Sequence, residues 1–73
     1  MTKQEILKEI GNTRFRSRLA MYEKNYEESA MLDRVTDKLV REAEQKMKID
    51  WIEIAEVLED AAWWAEEAHE TKE

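Results

Sequence analysis

Residues 49–68 read IDWIEIAEVLEDAAWWAEEA, and this stretch decides the fold. Asp50, followed three residues on by Glu53, is a capping box, and Ile49 and Ile54 stand at the positions of a hydrophobic staple. Beyond them Trp51, Ile54, Ala55, Val57, Leu58, Ala61, Ala62, Ala65 and Ala68 recur at helical spacing and form one broad face. Its alanines allow a second helix to approach closely. Trp64 falls on the edge of that face, and Trp63 and Ile52 fall on the opposite side.

The neighbours of Trp63 on such a helix are all acidic. Positions three, four and seven residues away hold Glu56, Glu59, Asp60, Glu66, Glu67 and Glu70. An indole among carboxylates serves no internal core. Tryptophan is common at the centre of interfaces, and a ring of negative charge suits a basic partner. Regularly spaced carboxylates, with Glu53 continuing the row, also resemble a phosphate backbone in charge pattern. The expectation is a partner-binding face of the kind that phage-type DNA-mimic inhibitors use against nucleic-acid-binding proteins. The structural alternative is that Trp63 is buried against a second copy or under the N-terminal helix, with Arg14, Arg16 and Arg18 of the same or a neighbouring chain as the counter-charge.

Working outward, Thr2 and Glu5 form another capping box, with Met1 and Ile6 as its staple. A short helix over about 3–10 carries Ile6, Leu7 and Ile10 and is expected to stop at Gly11. Asn12 or Thr13 then caps the next helix. Two apolar seams follow at alternating steps of three and four: Phe15, Leu19, Tyr22, Tyr26, and then Leu32, Val35, Leu39, Ala43, Met47 with Val40 alongside. They are out of phase by about 110° at 100° per residue, and supercoiling accounts for only part of that. No proline and no second glycine lies between them, so the expectation is one long helix over 13–48, bent near Glu27–Ala30. A loop at 27–30 is the alternative. The final helix is placed at 51–70, and the short connection after Met47 makes it antiparallel to its predecessor.

The 73 residues suffice for one small all-α domain, a helical hairpin or bundle expected to dimerise because so short a chain buries little. Absent cysteine excludes disulfides and thiolate metal sites. No apolar run is long enough to span a bilayer, and the first residues lack a signal-type apolar region, so a cytoplasmic location is expected. The net charge of −6 is unevenly spread. Residues 1–24 carry six Lys/Arg against three Glu, a balance of +3, whereas residues 49–73 carry one Lys against nine Asp/Glu, a balance of −8.

Arg14-Phe15-Arg16-Ser17-Arg18 could instead grip phosphate and stack on a base, which keeps an RNA- or DNA-binding hairpin dimer as a second reading. Met1-Thr2-Lys3-Gln4-Glu5, Arg14-Phe15 and Arg16-Ser17 are similar to residues of the plasmid repressor-of-primer family, RNA-binding dimers of helical hairpins. The likeness covers under a quarter of the chain, and Gly11 and the tryptophan-rich final helix have no counterpart in that family. A structural coiled-coil assembly factor is the third reading. Glu66 and His69 have the Glu-x-x-His spacing of di-metal bundles, but glutamate is so frequent here that chance supplies it, and His69 is placed at a frayed end. No metal or cofactor is expected. Ser17 and Ser29 have no neighbouring histidine base, so no catalytic residue is assigned and the chain is read as non-enzymatic.

Overall fold

The computed structural model describes residues 1–71. It holds three helices, α1 (Lys3–Tyr22), α2 (Tyr26–Gln45) and α3 (Trp51–Thr71), with no strand among the described residues. The all-helical expectation stands, but two of its helix boundaries do not.

The first correction concerns Gly11, which does not end a helix. The Thr2 box forms as expected: Thr2 Oγ1 accepts the Glu5 N–H, and the Glu5 carboxylate accepts the Thr2 N–H, both at 3.2 Å. Met1 stays exposed, so its half of the staple is missing. The helix then passes through Gly11 with ordinary backbone angles. Glycine is there for room: a Cβ at Gly11 would lie 3.2 Å from Val57 Cγ1 on α3. Thr13 caps nothing. It is buried, and its hydroxyl donates to the Glu9 carbonyl one turn back at 2.6 Å.

The second correction concerns the long helix, which is two helices. The chain reverses at 23–25, just before the suspected 27–30, and residues 27–30 are the first turn of α2. Lys24 adopts the left-handed conformation at φ 64°. Asn25 N–H donates to the Ala20 carbonyl and Lys24 N–H to the Met21 carbonyl, which is a Schellman stop with lysine where glycine usually sits. Asn25 also starts α2, since its side-chain oxygen accepts the Glu28 N–H. One residue closes one helix and opens the next, which is why the turn needs neither glycine nor proline. Lys48 (φ 57°) takes the same left-handed conformation in the second turn.

The packing seams differ from the apolar ones. On α1 the buried residues are Ile6, Ile10, Thr13, Ser17 and Ala20, and on α2 Ser29, Leu32, Thr36 and Ala43. These also step by three, four or seven, but most are small or hydroxylated, so the two helices can lie close. Thr36 Oγ1 donates to the Leu32 carbonyl within its own helix at 2.8 Å, and Ser17 Oγ donates across the seam to Asp33 Oδ1 on α2. The seam expected from Phe15 to Tyr26 is therefore not an intrachain seam. Phe15, Leu19 and Tyr22 are half-buried and Tyr26 is exposed. Val35 likewise faces outward on α2.

The apolar core sits at one end. Ile6, Ile10, Ala43, Ile49 and Ile54 are buried together, with Leu7, Leu39, Val40, Met47, Val57 and Leu58 around them. Asp50 Oδ1 accepts the Ile52 N–H at 3.2 Å, while the Glu53 carboxylate, expected to complete that cap, pairs with Lys3 Nζ at 2.9 Å. That pair joins the N-terminal ends of α1 and α3. At the far end His69 stacks on Tyr22, ring centroids 4.8 Å apart and 17° from parallel, so His69 is held rather than frayed. Helix α3 thus runs parallel to α1 and antiparallel to α2, as the short turn requires. Both α2 and α3 pack mainly on α1, and they touch each other only marginally.

Two outcomes test this account. Lys24→Gly relieves the left-handed strain and should raise stability by up to about 1 kcal/mol, whereas Lys24→Val, β-branched at positive φ, should lower it by at least as much in urea denaturation. The Glu5 carboxyl is held below its usual range, first by the Thr2 backbone N–H and then by the Thr2 side chain. A depressed folded pKa means that this contribution is present above the ordinary carboxylate pKa and is lost as pH falls through the folded value. The melting-temperature difference between wild type and Glu5→Gln should therefore shrink over that acidic window.

Candidate partner-binding surface

Burial of the alanine face against α1 determines what α3 turns outward. Ile54, Ala61 and Ala65 are buried, and Trp63, two positions from each alanine, lies on the far side of the helix. Trp63 is 53 % exposed and Trp64 59 %. The two indoles meet edge to face, centroids 4.8 Å apart at 79°. Glu56, Glu59, Asp60, Glu66 and Glu70 are exposed around them, and Glu67 is half-buried. Trp51, expected on the packing face, is also exposed.

None of the six acids around Trp63 pairs with a cation among the described residues. Ion pairs join Lys3 to Glu53 and Arg14 to Asp33, away from these acids. Glu56, Glu59, Asp60, Glu66 and Glu70 are exposed where an external cation can reach them. A tryptophan side chain buries about 200 Å², so covering the exposed half of one indole is worth about 2.5 kcal/mol at 25 cal/mol/Å². Two such indoles side by side can supply the core of an interface, with the carboxylates as its polar rim.

The three arginines of the 14–18 segment do not form one patch. Arg14 lies over α2, with Nη1 3.2 Å from Asp33 Oδ1, the carboxylate that also accepts the Ser17 hydroxyl. Arg16 is exposed. Arg18 is half-buried, and its Nε is enclosed without a hydrogen-bond partner. Arg14 therefore helps hold α1 to α2.

Two features escaped the sequence. An open groove of about 600 Å³ runs between α1 and α3, lined by Leu7, Gly11, Phe15, Val57, Ala61 and Trp64, with Lys8 and Asp60 at its margins. It continues past Phe15 and Trp64 to Glu67, Ala68 and Thr71, with a further 320 Å³. The isolated Gly11 was its signal, since a glycine inside a helical pattern can mark close approach as well as a stop. The second feature is a shallow depression on α2 at Met31, Arg34, Val35, Lys38 and Arg41. Its cations recur at helical spacing with Asp37 among them, while the apolar pattern places Val35 in a core seam.

Among the described residues no group of three or more His, Cys, Asp or Glu side chains could hold a metal ion. No helix there is long and apolar enough to cross a membrane. Comparison with protein families, curated proteins and solved structures finds no match to this chain.

If Trp63 stands on a free surface, Trp63→Ala should change unfolding free energy by no more than about 0.5 kcal/mol, whereas Ile54→Ala should cost about 2–5 kcal/mol. A Trp63→Ala loss as large as that of Ile54→Ala would place the indole inside an oligomer.

Proposed function

We propose that this chain is a non-catalytic interaction module that binds a basic, nucleic-acid-binding protein and blocks or modulates its nucleic-acid surface. The observation that carries this reading is the exposed Trp63–Trp64 pair among carboxylates that pair with no cation among the described residues. Each part of that surface has a separate task. The carboxylates raise the encounter rate with a positive surface and disfavour acidic competitors. The indoles provide the desolvated contact that slows dissociation. Glu56, Glu59, Asp60, Glu66 and Glu70 extend over about 21 Å of helix at 1.5 Å per residue, long enough to occupy a groove that otherwise tracks several phosphates.

Direct nucleic-acid binding through the 14–18 arginines has less support. Arg14 is engaged by Asp33, and the partial burial of Arg18 separates it from the exposed Arg16.

Affinity capture tests the reading. Immobilised wild type should retain a basic protein that elutes as salt rises, and Trp63→Ala combined with Glu59→Lys should lose it while its circular dichroism is unchanged. Equal retention by both, or a low-salt gel shift of RNA or DNA by the wild type alone, overturns it.

A further inference from the structure

The groove between α1 and α3 is open along its length and is floored by apolar atoms that the chain does not cover. Gly11 forms the floor, Val57 and Ala61 one wall, Leu7 and Phe15 the other, and Trp64 stands at the lip. Leu19, half-buried on α1, continues the apolar seam beyond Phe15, and Tyr22 ends it against His69. From Val57 to Ala68 the trough is about 16 Å long at 1.5 Å per residue, close to three helical turns.

We propose that this groove receives a basic amphipathic helix of the partner protein. Shape and charge both point to that occupant. Two parallel helices with a glycine between them make a channel into which side chains at i, i+4 and i+7 of a third helix can be laid. The margin on the α3 side is acidic, with Asp60 and Glu67 beside the trough and Glu56 further around the helix, against a single cation, Lys8, on the α1 side. An occupant with an apolar stripe flanked by lysine or arginine satisfies both. A second copy carries a comparable stripe on α2, at Met31, Arg34, Val35, Lys38 and Arg41, but with Asp37 among them and −6 on each chain it is the weaker fit, and sedimentation distinguishes it. The edge-to-face indoles join the two surfaces, with Trp64 at the groove and Trp63 on the acidic face, so one partner helix contacts both. The inference rests on the proposed basic partner and specifies how that partner is held.

The test is fluorescence anisotropy with a labelled synthetic peptide of about 14 residues, leucine at i, i+4 and i+7 and lysine elsewhere, against the whole chain. A peptide of the same composition with the leucines scattered around the helix is the control. The ordered peptide should bind at least about tenfold more tightly than the control and weaken as salt rises. Trp64→Ala should weaken it about tenfold or more, and Gly11→Leu, which fills the floor, should do the same. Because Gly11→Leu can also push α3 away, Trp64→Ala, at an exposed position, decides. Equal binding of both peptides means attraction by charge alone and overturns the groove. So does a sedimentation result in which the free chain is a dimer that excludes the peptide. If Glu56→Lys and Glu59→Lys abolish binding while Trp64→Ala and Gly11→Leu do not, the groove falls and the acidic-face function stands. If neither peptide binds at low salt, both fall.

Discussion

Ile6, Ile10, Ile49 and Ile54 close around Ala43 at the end of the molecule where α2 turns into α3, and everything else is arranged from that contact. It is the place where all three helices share buried apolar surface. Truncating one buried isoleucine costs about 2–5 kcal/mol, while a core this small supplies only about 3–5 kcal/mol in all. Lys3–Glu53 ties α1 to α3 beside that core; away from it the helices are held by lighter means, small hydroxyl residues and Asp33 between α1 and α2 and Tyr22–His69 between α1 and α3.

That economy explains the surface. The inner positions of α1 and α2 hold Thr13, Ser17, Ala20, Ser29 and Thr36, and those of α3 hold Ala61 and Ala65. Small residues inside bring the backbones close and leave little space for aromatic rings, so Trp51, Trp63, Trp64 and Tyr26 lie outside. Large exposed aromatics side by side are unfavourable for a lone chain in water. The proposed partner offsets that cost, burying the rings and neutralising the acids in one step.

The limits of the sequence are specific. Capping at Thr2 and the Ile49/Ile54 staple were legible because both depend on residues a few positions apart. The position of Trp63 opposite the alanine face was legible for the same reason, since helical phase alone determines it. Gly11 was misread because a glycine that ends a helix and one that admits a neighbouring helix look identical until Val57 is in place. The reversal at 23–25 was missed because lysine seldom takes the left-handed conformation, and only the docking of α2 against α1 compensates for its strain. The seams were misassigned because Phe15, Leu19, Tyr22 and Val35 outrank serine and threonine in hydrophobicity, whereas close approach favours the smaller residues.

The sequence by itself determined that the protein is helical, where the outer helices begin, and which side of the last one carries tryptophan among acids. These follow from local hydrogen bonding and a fixed rotation per residue. The tertiary structure alone decided which seam is buried, that α3 lies along α1 rather than α2, and that Phe15 and Trp64 face a common groove. Those outcomes depend on how near two backbones can come, a distance set jointly by residues far apart in the chain.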